Sequence, residues 1–447
     1  MEVEVISKDN IKPSSPTPHH LKTFKFSLLD QFAVDSYVPL ILYYPNRNYG
    51  DNILQAQEKS LALKESLSKT LTQFYPLAGT IKNDFYIDCN DVGAYFALAL
   101  VRRRLDEFLS HPDVNLIKLL LPFTPTFKAP EDARITNVQM NIFECGGIVI
   151  GLCISHKIVD LAATHTFLRG WTNMVCGANE VVYPNLTASA LFPAKDMWIK
   201  EASMAMCRSW IKKGKFSTKR CVFDADAIAR LKAEATRNGV KNPTRVEVVT
   251  ALIWKCAMAA SKENCGFQKP SFLTHSVNLR RKLPSSLSKD LIGNALWVTP
   301  AEWRDNHDPT FHGLVKKVHE SFSKIDIEFV KKAQGDEGYI ALQQSIKETI
   351  EIGSKGTMDA YVFTSWCKMG SYEIDFGWGK PSWVAGIVGH GSLVFTNVIT
   401  LMDTKCGEGI EAWVNLDENE MDILSGNSEL LAFASLDPSP LQKMKLH

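Results

Sequence analysis

The apolar positions of this chain change period along its length. Leu63, Leu67, Leu71 and Phe74 recur at helical spacing, and Pro76 closes that segment. Val138, Met140 and Ile142 alternate with polar residues instead. Gly146-Gly147 then turns the chain, and Ile148 to Ile154 is a continuous apolar run, a pattern that predicts a hairpin ending in a buried strand. His156 follows directly, and Thr164, Phe167, Leu168, Trp171 and Val175 then share one face of a helix. Further on, Val222-Phe223 predicts a strand, Asp224 a helix N-cap, and Ile228, Leu231 and Ala235 a helix face. The two patterns alternate throughout, with no internal repeat or low-complexity tract, so the chain reads as α/β and as neither a solenoid nor a disordered protein.

A chain of 447 residues is too long for one ordinary core, which suggests two domains of roughly 200 residues each. The stretch 196–219, rich in Lys, Ser and Met with some helical character around Met204 to Ile211, is the candidate crossover between a domain at 1–195 and one at 220–447. Hydrophobic residues at 45% and charged residues at 22% fit a globular protein, and a net charge of +1 gives no reason to expect nucleic acid or an anionic membrane as partner. The first residues carry charges where a signal peptide needs an apolar run, and no stretch is long enough to span a bilayer. A cytosolic monomer is the expectation. Ten cysteines without a Cys-x-x-Cys are then expected to be reduced, and the sequon Asn185-Leu186-Thr187 unused.

His156 sits where a strand hands over to a helix, the kind of junction at which clefts form in α/β proteins. Histidine ordinarily titrates at about pH 6.5, so it can take a proton near neutrality and return it in the next step. Asp160, four residues on, is either an acid that orients the imidazole or a structural acid at the start of the helix. Thr244-Arg245-Val246-Glu247 is a capping box opening the apolar helix Val248 to Trp254. Its N–H groups and Arg245 suit a phosphate, and simple capping without a ligand is equally open. Asp375-Phe376-Gly377-Trp378-Gly379 combines two glycines that permit a tight backbone path with two aromatic residues suited to a buried anchor. The chain has no Gly-x-Ser-x-Gly elbow, no Cys-His peptidase signature, no Walker loop and no dinucleotide fingerprint. His156 and Asp160 are too few to make a metal site.

The ordered set of motifs resembles the plant BAHD acyl-CoA-dependent acyltransferases over nearly the whole chain. Its carriers are Asn10-Ile11-Lys12-Pro13, Leu28-Leu29-Asp30, Phe74-Tyr75-Pro76-Leu77-Ala78-Gly79, Asp88-Cys89-Asn90-Asp91, His156 with Asp160, Asn278-Leu279-Arg280, Gly293-Asn294, Thr364-Ser365-Trp366 and Asp375 to Gly379. The resemblance implies two chloramphenicol-acetyltransferase-like domains, each a mixed sheet flanked by helices. An active-site channel would lie at their interface, and a segment near 358–385 would return to the first domain's sheet. It implies His156 as general base and Trp366 as oxyanion donor. Asp160 paired with Arg280 would keep the geometry, Asp375, Gly377 and Gly379 would be structural, and Thr244 and Arg245 would lie at the coenzyme A site. No permanently bound cofactor is implied. Acyl-CoA carrying an acetyl or other short aliphatic group, acetyl-CoA first among them, would be a co-substrate, and the acceptor a small-molecule alcohol such as an alkaloid. Acylation of a sugar ester or an amine, and a silent acyl-CoA-binding relative, stay open. Many relatives follow the motif aspartate with Gly or Ala, whereas Leu161 stands here, either narrowing the site or packing inward. Gly353-Ser354-Lys355-Gly356-Thr357 offers no arginine handle for a carboxylated acceptor.

Overall fold

A computed structural model describes residues 1–46, 53–124, 133–178, 180–196, 211–212, 214–305, 307–354, 358–386, 394–395 and 397–441. The expected crossover at 196–219 falls largely outside the described residues. So does most of the segment 353–357.

Two large mixed sheets organise the molecule. The first has six strands in the order Val3–Ile11, Ala94–Val101, Thr136–Phe143, Ile148–Ser155, Tyr37–Tyr44 and Trp383–Ala385. The second has seven, in the order Leu296–Trp303, Ser271–Asn278, Asp359–Ser365, Val398–Asp403, Ile410–Asp417, Phe216–Phe223 and Ser435–Leu436. Helices flank both. The segment near 358–385 is divided between them: Asp359–Ser365 stays in the second sheet, bonded in parallel to Ser271–Asn278 and Val398–Asp403, and the three residues Trp383–Ala385 pair with Tyr37–Tyr44 at the edge of the first.

The hairpin Thr136–Phe143 and Ile148–Ser155 forms as its pattern predicts, but every residue of both strands is buried. The alternating polar residues are inside because chain around Leu119–Leu120 covers their face. Gln139 donates to Leu119 O, and Asn141 donates to Leu120 O and Val149 O, so no amide is buried unpaired. Helix Ile53–Gln73 buries Leu63, Leu67 and Leu71 against helix Leu161–Cys176, where Phe74 meets Phe167 at 5.5 Å and the Trp171 indole donates to Leu63 O and Ser66 Oγ. Helix Ala225–Arg237 starts at Asp224, whose carboxylate accepts Ala227 N–H. The nine described cysteines are unpaired, five of them buried. The Asn185 side-chain amide is spent on Leu287 O.

Where the sheets meet, Arg220 is 1% exposed and faces Glu411 through Nε at 3.1 Å. Its guanidinium lies 4.7 Å from the Trp383 ring and 5.6 Å from the Trp413 ring, and the Trp383 indole donates to Glu411 at 3.2 Å. Trp383 belongs to the first sheet and the other three residues to the second, so one buried ion pair clasps the two sheets. Removing a single partner strands a charge away from water. Glu411→Ala should therefore lower stability by about 3 to 5 kcal/mol in urea unfolding. A loss below about 1 kcal/mol would show that the pair is solvated.

Candidate functional site

His156 is the first residue past strand Ile148–Ser155, and its N–H donates to Ser36 O at 2.8 Å, which holds the turn against the neighbouring strand. It is half-buried, and its Nδ1 lies 3.0 Å from Asn294 Oδ1. Burial pushes the imidazole below its ordinary pKa of 6.5. The nearby Asp160 charge and the contact with Asn294 oppose that shift only in part. The ring is thus uncharged at neutral pH, the form that accepts a proton.

Asp160 does not touch the imidazole through any hydrogen bond. Its carboxylate caps helix Leu161–Cys176 through Ala163 N–H, meets Arg280 Nη1 at 2.6 Å and accepts Ala295 N–H at 3.0 Å. Arg280 donates its other arm to Leu291 O and Gly293 O, at 3.0 and 2.9 Å. The ion pair therefore ties the first turn of the helix to the loop that delivers Asn294. Burial would raise the Asp160 carboxyl, but the Arg280 charge and these hydrogen bonds hold it below its usual value. Gly293 adopts φ +121°, and a Cβ there would sit 3.0 Å from the Ala188 Cβ, so glycine lets this loop pass close enough for the contacts that follow.

Two residues of this network had no role assigned from the sequence, although both lie in quoted motifs: Asp30 and Asn294. Asp30 is fully buried, and its Oδ1 accepts both Asn294 N–H and Asn294 Nδ2–H, at 2.7 and 2.9 Å. Nothing local distinguishes them, because Asp30 and Asn294 are 264 residues apart in the chain.

The remaining sequence-derived positions lie elsewhere. Trp366 follows strand Asp359–Ser365 and packs into the core of the first sheet, its six-membered ring against Gly386. No acceptor for its indole N–H is found among the described residues. Asp375 Oδ1 accepts Gly377 N–H and Gly379 N–H, at 2.8 and 2.9 Å, while Phe376 packs on Trp171 and Trp378. Both glycines have positive φ. This loop sits at the far end of the sixteen-residue helix Leu161–Cys176, about 24 Å from its N-cap by helical rise. A cleft of about 520 Å³ runs along the outer stripe of that helix, with His165, Arg169 and Cys176 on one wall and Lys368 and Asp375 on the other. His165 packs there between Leu161 O and the Ser371 hydroxyl, its pKa pushed down to about 4 by burial. Leu161 packs inward, 5% exposed, in the first core.

The capping box is complete: Thr244 accepts Glu247 N–H and Glu247 accepts Thr244 N–H, opening helix Arg245–Cys265. The expected phosphate grip by Arg245 meets a constraint, because its guanidinium is committed to Gly407 O, Glu408 O and Asp403. Asp403 also accepts Lys368 N–H, so Arg245 braces the segment just after Trp366. What this corner leaves toward a phosphate is the first-turn amides of the helix. Among the described residues no group of three or more His, Cys, Asp or Glu gathers that could hold a metal ion, and no helix is long and apolar enough to cross a membrane.

Residues 1–431 match the model of the transferase family described as "Transferase family". The chain belongs to this BAHD transferase family. It is 43% identical to a limonoid 7-O-acetyltransferase of Citrus sinensis, over 99% of this chain and 100% of the relative. It is 41% identical to an epi-neemfruitin B 7-O-acetyltransferase of Melia azedarach, again over 99% and 100%. Among solved structures, vinorine synthase superposes with a TM-score of 0.81 at 32% identity, covering 97% of this chain and 99% of that one.

In this BAHD protein Asp160→Asn tests the structural role. Asparagine still caps a helix but brings no charge to Arg280, so the variant should lose about 3 kcal/mol or more in urea unfolding and give less folded protein. The pair's contribution is present above the unfolded carboxyl pKa of about 4 and is lost as pH falls through the lower folded value, and the variant should lack that acid limb. Full stability with abolished turnover would instead make Asp160 part of a relay.

Proposed function

We propose that this protein is an acyl-CoA-dependent O-acyltransferase that moves an acetyl or other short aliphatic acyl group to a hydroxyl of a plant specialised metabolite. The carrying observation is an uncharged, half-buried His156 beside the loop that bears Asn294, in a chain whose relatives over their full length are named as acetyltransferases. Names of the more identical relatives point to a limonoid alcohol ahead of an alkaloid one. Akuammiline synthase 2 of Alstonia scholaris stands at 36% identity.

The chemistry is direct transfer in a ternary complex. His156 takes the acceptor hydroxyl's proton as the oxygen bonds to the thioester carbonyl carbon. The carbon–sulfur bond then breaks, and the imidazolium returns the proton to the departing thiolate. Trp366, whose indole N–H meets no acceptor among the described residues, is the proposed donor to the oxyanion. Asp160, Arg280 and the Asp375–Gly379 loop hold the frame. The amides opening helix Arg245–Cys265, with Thr244 and Arg245 shaping that corner, are the proposed seat for a coenzyme A phosphate. We propose a cytosolic monomer with the first domain ending near residue 195 and the second beginning near 220.

Purified protein, supplied with acetyl-CoA and longer acyl-CoAs and with pooled limonoid, alkaloid and sugar-ester alcohols, should yield by mass spectrometry a product heavier by one acyl group. His156→Ala should yield none, and equal activity in both would remove the histidine base. The depressed pKa places the acid limb of kcat/KM below pH 6.5. Trp366→Phe should lower kcat about 100-fold with KM little changed, the cost of one oxyanion donor. Unchanged kcat would assign Trp366 to packing alone.

A further inference from the structure

An imidazole has two nitrogens, and in its neutral form only the one without hydrogen can act as a base. The surroundings of His156 decide between them. Asn294 Nδ2 lies 2.7 Å from His156 O and 2.9 Å from Asp30 Oδ1, two acceptors that together require the amide's NH₂ to point at them. The Asn294 carbonyl oxygen is therefore the atom 3.0 Å from His156 Nδ1, and it can only accept. That contact is a hydrogen bond only when Nδ1 carries the proton.

We propose that Asn294, clamped by Asp30, is a positioning residue that selects the Nδ1–H tautomer of His156 and leaves Nε2 as the atom that takes the acceptor's proton. The inference rests on the acyltransfer reading and deepens it. Asp30 suits the clamp because it is held from every side. Its Oδ2 accepts Ser27 N–H and the Ser27 hydroxyl, its Oδ1 accepts the Asn294 backbone and side chain, and its own N–H bonds Ser27 Oγ in the capping box of helix Leu28–Phe32. That helix packs Phe32 against Trp297, 4.8 Å between rings, just beyond Asn294 along the chain. The carboxylate and the amide thus meet through packing of the first sheet's flank on the second. A neutral amide next to the imidazole also orients the ring without adding a charge that would keep it protonated. The charged groups bearing on His156 are Asp160, whose charge is met by Arg280, and Lys157.

Nitrogen-15 NMR of the folded protein, labelled at histidine and titrated with pH, reads the tautomer independently of turnover. The neutral His156 of the wild type should carry hydrogen on Nδ1. Hydrogen on Nε2 would overturn the proposal whatever the variants do. Asn294→Ala should mix the tautomers and lower kcat about tenfold or more, with KM for acyl-CoA within about twofold. Asn294→Asp keeps an oxygen facing Nδ1 but loses the donor to Asp30 and sets a second carboxylate against it, so it should retain the tautomer while kcat stays well below wild type, with the acid limb of kcat/KM moved upward by the added acid. A tautomer unchanged in Asn294→Ala would assign selection to another group. Loss of the base reading itself shows differently, as persistent turnover in His156→Ala.

Discussion

The buried contact between Asp160 and Arg280 is the constraint on which the rest of the site depends. Both side chains are nearly sealed from water, and burying two charges is expensive unless every lone pair and proton finds a partner. Here they do. The carboxylate is met by Arg280, Ala163 and Ala295, and the guanidinium by the carboxylate and two carbonyls. The pair joins the first turn of the helix after His156 to the 291–295 loop of the other sheet's half, and that loop carries Asn294 to the imidazole. A His-x-x-x-Asp pattern reads as catalytic at both residues only while the chain is viewed as a string; in three dimensions the aspartate is the fastener that keeps His156 in register.

Helix Leu161–Cys176 divides the labour between the two signature segments. His156 precedes its N-terminus, and the Asp375–Gly379 loop closes over its C-terminus, where Phe376 rests on Trp171 and the Tyr44 hydroxyl holds Ile374 O. The loop is too far from His156 to exchange protons with it. Its links to the His156 region are the helix it anchors and strand Trp383–Ala385, which it feeds into the first sheet. The Arg220–Glu411 clasp then fixes that strand to the second sheet, so the relative position of the two sheets is set by packing around charge and not by apolar contact alone.

An uncharged histidine and no competing nucleophile motif together suit a reaction in which both substrates are held at once. A covalent intermediate would need an activated serine or cysteine beside the base. The buried thiols Cys89, Cys153, Cys221, Cys256 and Cys367 have their pKa values raised by burial, which makes them poor nucleophiles.

Much of the framework was legible in the sequence, because it rests on local rules: the period of Leu63, Leu67 and Leu71, the Asp224 cap, the Thr244–Glu247 box and the turn before His156 all follow from short-range sterics and hydrogen bonding. The motif set carried the family. The sequence could not tell that Asn141 and Gln139 face the interior, since alternation shows two faces but not what covers them. It suggested Arg245 as a phosphate ligand, whereas the fold spends that guanidinium on Asp403 and two carbonyls. Nor could it join Asp30, His156 and Asn294, whose partnership requires three distant segments to meet. Composition and periodicity are properties of the chain, and they determined its elements and its class. The state of His156 depends on which donors and acceptors converge on one ring, and only tertiary packing decides that.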